Sequence, residues 1–291
     1  MKNENLLKEI ETSVMGLMET FSFILKYKRL FSATGIEFSG FKEYVPGEDD
    51  AMRIDWKASL RTGKMYVRQY EEELDLDVFI ILDACSSMLF GTQNKLKNEY
   101  AAVIAGAIAS AGLQIGQRVG FAMVNEKNEI VLNPTNDPSR YYTILDALCR
   151  EHHYGGDCVL FDFLSKITNI LFQKTIIFII SDFIGLKGDW KRALKVAGSK
   201  FERVFGIMVR DIRDEKLPEK EGRIRLMNPF TGETMIVDID KIKDEFERLA
   251  KEQVEEVFSA FRSANADIVK VFTTEPFVAP IIKCLVSTTI F

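Results

Sequence analysis

From residue 76 onward the chain repeats one alternation, a short apolar run followed by a longer helical one. The apolar runs are LDVFIIL (76–82), RVGFAMV (118–124), KTIIFII (174–180), RVFGIMV (203–209) and DIVKVF (267–272). Runs this short that are apolar nearly throughout, not at every second residue, suit strands buried on both faces. Helical segments stand at about 95–113, 138–150, 158–171, 189–199 and 241–263. The alternation predicts an open, doubly wound, mostly parallel α/β sheet with helices on both faces. EIVLNP (129–134) can turn back across NEKN and add one antiparallel edge strand. GRIRLMNPFTGETMIVDI (222–239) reads as a hairpin around Pro229 and Gly232, inserted before the long helix.

Two further segments precede this domain. In residues 5–28 Leu6, Leu7, Ile10, Val14, Leu17, Met18, Phe21, Ile24 and Leu25 fall at helical spacing, as one apolar stripe. Such a helix packs on its own domain or docks on a partner or membrane surface. Residues 36–75 carry turn signals at Pro46-Gly47 and Thr62-Gly63 between short alternating segments, which predicts a small β-rich unit. Trp56 would anchor its core. The basic residues Arg53, Lys57, Arg61, Lys64 and Arg68 precede Glu71-Glu72-Glu73, and are expected mainly in surface ion pairs or as a charged docking face. The expected organisation is an amphipathic helix over 1–30, a β-rich unit over 31–75, and the main domain over 76–291.

Composition narrows the function classes. A net charge of -5 gives no general basic face for nucleic acid. Cys85, Cys149, Cys158 and Cys284 are scattered, without a C-x-x-C pair or zinc-ligand spacing, as suits a reducing cytoplasm. The opening MKNENLLKEIETS lacks the pattern of an export signal. The stretch YAAVIAGAIASAGLQIG is too short to span a bilayer, which needs about 20 apolar residues. The expectation is a cytoplasmic protein without an integral membrane segment.

Ligands of open α/β sheets bind beyond the carboxyl ends of the strands, where strand order reverses. Asp83 directly follows VFIIL, and Asp182 follows IIFIIS. Hydroxyls stand beside them at Ser86, Ser87 and Ser181. Asp157 follows Gly155-Gly156 and opens a helical segment, where capping alone would explain it. Asp83 and Asp182 could likewise only hold loop amides.

These residues resemble the metal-ion-dependent adhesion site of von Willebrand factor A-like domains: a strand-end D-x-S-x-S, a later Thr after a Gly-rich turn, and a later Asp. Asp83, Ser87 and Asp182 match in order. Cys85 replaces the first Ser, and Asp157 stands in place of the Thr. More specifically, YVPGEDDAMRIDWKASLRTGKMYVRQYEEE (44–73) resembles the signature of the bacterial family DUF58, in which it precedes such a domain. The resemblance spans roughly residues 35–210. It implies a partner, a MoxR-type AAA+ ATPase, and a chaperone-like or complex-maturation role. It implies no reaction.

The resemblance also implies a divalent ion, Mg2+ or else Mn2+ or Ca2+, at Asp83, Ser87, Asp157 and Asp182, with Cys85 at a degenerate ligand position. A thiol is a poor ligand for a hard ion, so such a site would be weakened. Three carboxylates would also make it less attractive to an acidic partner. A metal-dependent hydrolase using these carboxylates is the alternative. A Cys85 nucleophile would need His152 or His153 as its base. An Asp83 phosphoryl acceptor would want a second Asp where Cys85 stands. No G-x-x-x-x-G-K-[ST] loop is present. The sequence therefore points to a non-enzymatic interaction protein with its contact organised at the strand ends.

Overall fold

The computed structural model describes residues 8–20, 22, 37–46, 49, 52, 54–71, 76–93, 95–219 and 222–287. Residues 5–7, 21 and 23–28 of the N-terminal stripe, and also Gly47, Arg53, Glu72 and Glu73, lie outside them. Two compact units divide the chain: Met1–Ser22 with Leu76–Phe291, and Phe23–Asp75.

The first helix, α1 (residues 8–20), belongs to the larger unit and buries Ile10, Val14 and Leu17. Each such side chain removed from water contributes about 1.5–3 kcal/mol before entropy is counted.

In the smaller unit β1 (Glu37–Glu43) pairs antiparallel with β2 (Tyr66–Glu71), and α2 (Trp56–Thr62) lies between them in sequence. The Asp55 carboxylate accepts from the Lys57 and Ala58 amides at 3.0 and 2.9 Å and starts the helix, which Gly63 ends at φ 73°. This cap puts Trp56 at the first helical position with its ring outward. Trp56 is 63% exposed, so it does not anchor the unit. Val67 and Ser59 are buried instead, with Ser59 Oγ accepting from the Tyr66 amide at 2.9 Å. Of the basic residues, Lys64 pairs with Glu43 at 3.1 Å on the surface.

The larger unit contains β3 (Asp77–Asp83), α3 (Lys97–Gln114), β4 (Arg118–Val124), β5 (Glu129–Thr135), α4 (Ser139–Cys149), α5 (Leu160–Ile167), β6 (Thr175–Ser181), α6 (Trp190–Lys200) and β7 (Arg203–Arg210). The hairpin β8 (Arg223–Met227) and β9 (Thr234–Asp238) follows, then α7 (Ile239–Ser263), β10 (Asp267–Phe272) and α8 (Val278–Ser287). The six-stranded sheet has the order β10-β7-β6-β3-β4-β5. All its pairings are parallel except that of β5 with β4. Numbered within the sheet this is 3-2-1-4-5-6, the doubly wound order, with its reversal between β3 and β6.

Helix α3 is buried almost all round. It packs against β3 and β4 and against α4, and α1 covers it further out, with Ile10 where a Cβ on Gly106 would fall. Small residues in α3 make this close approach possible. Elsewhere in this unit, α6 packs against α5 and α7, and Phe261 of α7 fills the space left by Gly206 on β7. The hairpin turn is held by Asn228, whose Oδ1 accepts from the Phe230 amide at 2.9 Å. The Phe230 ring rests on Gly185, just beyond the end of β6.

Candidate functional site

The carboxyl ends of β3 and β6 are neighbours at the reversal of strand order, and Asp83 and Asp182 meet there, fully buried. Asp83 Oδ1 accepts from the Cys85 amide at 3.0 Å, which turns the chain out of β3. Asp83 Oδ2 accepts from Ser181 Oγ at 2.6 Å and from the Cys158 thiol at 3.5 Å. Ser181 Oγ in turn accepts from the Phe183 amide at 2.8 Å. Burial pushes the Asp83 carboxyl above the usual carboxylate range, and the charge of Asp182 adds to the push. Hydrogen bonds from Ser181 and Cys85 oppose it in part.

Ser87 lies in the short 3-10 turn Ser86–Leu89, buried, with its Oγ 3.1 Å from Cys85 Sγ. The Cys85 thiol is pushed up, first by its hydrogen bond with Cys158 and then by burial. Among the described residues neither imidazole hydrogen-bonds Cys85, and His153 Nδ1 sits 2.9 Å from the Ala147 carbonyl. A thiolate nucleophile is therefore disfavoured at Cys85.

Asp157 does not join this group. Its carboxylate turns outward to Lys187, and it caps no helix, because α5 begins at Leu160 behind Val159. Its neighbour Cys158 points inward instead. The loop carrying both runs beside the β3 exit, with the Gly155 amide donating to the Ala84 carbonyl at 2.8 Å and the Ser86 amide to the Gly156 carbonyl at 2.9 Å. Gly155 and Gly156 both have positive φ, 114° and 81°, which glycine adopts without strain. Asp83, Cys85 and Cys158 thus bring three donor atoms within 4.8 Å of one another, a set that could hold a metal ion.

Asp182 is engaged differently. Its Oδ1 accepts from the Ile184 amide at 2.9 Å, and its Oδ2 lies 2.7 Å from Lys97 Nζ. The Lys97 ammonium also reaches both oxygens of Asp214 at 3.0 Å. The next residue, Phe183, sits in the left-handed region at φ 54°, braced by Gln253 Nε2 donating to its carbonyl at 2.6 Å. Asp211 accepts from the Thr92 amide at 2.8 Å and the Thr92 hydroxyl at 2.7 Å, tying the loop after β3 to the end of β7. Asn125 binds a third loop, donating to the carbonyls of His153 and Ala84. The sequence reading missed Lys97, Asp211, Asp214, Asn125 and Cys158. Asp211 and Asp214 form a local capping box and Asn125 a local turn, signals that could have found them, whereas the partners of Lys97 and Cys158 are far away in sequence.

The family described as protein of unknown function DUF58 matches residues 40–256. The chain belongs to the DUF58 family. A protein of Mycobacterium tuberculosis is 27% identical over 264 residues, covering 89% of this chain and 81% of the relative. A Mycobacterium bovis protein matches to the same extent. Among solved structures, BatB from Bacteroides thetaiotaomicron is similar at a TM-score of 0.45 and 15% identity, over 74% of this DUF58 chain and 98% of BatB. The VWA domain of SpRpn10 is similar at a TM-score of 0.39 and 12% identity, over 73% of this chain and 94% of that domain. No helix among the described residues is long and apolar enough to cross a membrane.

Proposed function

We propose that this DUF58 protein is a cytoplasmic protein-interaction module acting beside a MoxR-type AAA+ ATPase, in chaperone-like or complex-maturation work, with no reaction of its own. One observation carries the reading. The polar side chains at the strand ends satisfy one another in the interior, while the loop after β3 turns Leu89 and Phe90 outward, 43% and 38% exposed. Such a site stiffens a contact loop and presents apolar side chains beside it. Family membership supports the module, and the resemblance of residues 44–73 supplies the partner class.

The resemblance also implies Mg2+, Mn2+ or Ca2+, and the donor chemistry argues against such a hard ion. Two of the three convergent donors are thiols, which suit softer metals. Ser87 is engaged by Cys85, and the Asp182 oxygen not bound to the backbone carries an ammonium. Asp83, Ser87 and Asp182 are read here as organisers of the contact loops, with Asp157 outside that core. A hydrolase using the same carboxylates has less support, because Asp83 is held toward its neutral form and Asp182 is already ion-paired.

The test is direct binding of the purified chain to a purified MoxR-type ATPase from the same genome. Leu89→Ser/Phe90→Ser should weaken the affinity by about tenfold or more, as the loss of an apolar anchor pair does. Equal binding by both forms would move the contact elsewhere. No binding by wild type would remove the partner.

A further inference from the structure

We infer that the Lys97 ammonium is the resident cation of the strand-end site and holds the position that a divalent ion would otherwise neutralise. This deepens the proposed function, resting on its reading of the strand ends as a contact organiser.

Lys97 is 1% exposed, an unusual state for a lysine. Its three N–H groups have three oxygen acceptors: Asp182 Oδ2 at 2.7 Å, and Asp214 Oδ1 and Oδ2 at 3.0 Å each. The Phe90 ring closes the fourth side, with its centroid 5.5 Å from Nζ. The shell is oxygen-rich and anionic, like that of a bound cation. Position within the helix makes the arrangement harder to dismiss as incidental. Lys97 is the first residue of α3, where the helix dipole disfavours positive charge. The two buried carboxylates are what make an ammonium tolerable there. Removal of one partner from a buried ion pair leaves an uncompensated charge, so the three groups stand or fall together.

The same lysine fixes the contact loop. Its backbone amide donates to the Phe90 carbonyl at 2.9 Å, and its ammonium underlies the Phe90 ring. A covalently attached cation cannot dissociate or be chelated, so the loop keeps its shape without divalent ions. Absence of the ammonium would leave Asp182 and Asp214 facing one another, a pair of carboxylates that a divalent ion would bridge.

The experiment uses the full chain, with Mn2+ uptake followed by electron paramagnetic resonance and Tm measured in Mg2+ or EDTA. Wild type should take up no Mn2+ at the strand ends and should melt at the same temperature in Mg2+ and EDTA. Lys97→Met should bind about one Mn2+, as one bridged carboxylate pair requires. Its Tm should fall in EDTA and recover in Mg2+, and adding Asp182→Asn should abolish that recovery. Should Lys97→Met fail to fold, Lys97→Gln keeps both carboxylates and a polar group beside them and should likewise gain Mn2+ over wild type. Wild-type uptake that Asp182→Asn abolishes would overturn the proposal, as would no uptake by whichever Lys97 variant folds. The ATPase takes no part in these measurements, so a failed partner assay and a failed metal assay are separately visible.

Discussion

Ser181 donates its hydroxyl to Asp83 at 2.6 Å and so joins the ends of two parallel strands, β3 and β6, across the point where strand order reverses. Because the same oxygen accepts from the Phe183 amide, this bond also fixes the left-handed turn that follows. Ser181→Ala removes a hydrogen bond to a buried acid and leaves a buried amide without its acceptor. The expected cost is about 1–3 kcal/mol in urea denaturation, the range for leaving a buried polar group without its partner. A change within error would mean that the two strand ends are held by the sheet alone.

Asp83 gives the fold a defined pH dependence. Its folded carboxyl titrates above its ordinary value of 3.8, so the folded state keeps this proton after the unfolded chain has lost it. Stability from this group is therefore fully present below the unfolded value and is lost as pH rises toward the folded one. Asp83→Asn, neutral throughout, should gain on wild type as pH rises from about 4 to about 8. Urea midpoints across that range check the sign. A constant difference would mean that Asp83 ionises normally.

Covering of α3 by α1 should be worth a measurable part of the total stability. Ile10 is fully buried, with its side chain filling the space beside Gly106. Ile10→Ala should cost about 2–5 kcal/mol, the range for emptying a packed core position. Met15→Ala, at an exposed position of the same helix, should cost far less. Equal effects from the two would indicate that α1 is detached in solution.

Cys85 and Cys158 should resist alkylation. The Cys85 thiol is pushed up, and both residues are buried. Mass-spectrometric mapping of iodoacetamide adducts should find these two modified no faster than the protein unfolds. Rapid labelling of Cys85 in the folded protein would return it to consideration as a nucleophile.

Much of the sheet was legible because its strands carry apolar residues on both faces, a pattern that leaves few alternatives over six or seven residues. The antiparallel edge and the hairpin were legible from turn chemistry. Asp83 and Asp182 stood out as charges directly after such runs. Lys97 did not, since a lysine at a helix start reads as surface, and its partners lie 85 and 117 residues away. Asp157 was expected among the strand-end groups, whereas it turns outward to Lys187 and Cys158 faces inward. Two consecutive glycines with positive φ decide which of them faces inward, and sequence spacing does not encode that rotation. Trp56 misled because bulk suggests burial, whereas the Asp55 cap fixes the start of a seven-residue helix and turns the ring outward. Helix α8 was missed because Pro280 interrupts the apolar pattern, although proline is acceptable in a first helical turn.

The main unit is discontinuous in sequence, since α1 precedes the β-rich segment while every strand of the main sheet follows it. The smaller unit is thus joined to the larger one by the chain at both of its ends. A protease cut within residues 23–75 would leave two fragments that still share one folded body through α1. During synthesis, α1 must wait for the whole intervening unit to emerge before it meets α3. In sequence, the two crossings between the units lead to α1 on one side and to β3, with its buried Asp83, on the other.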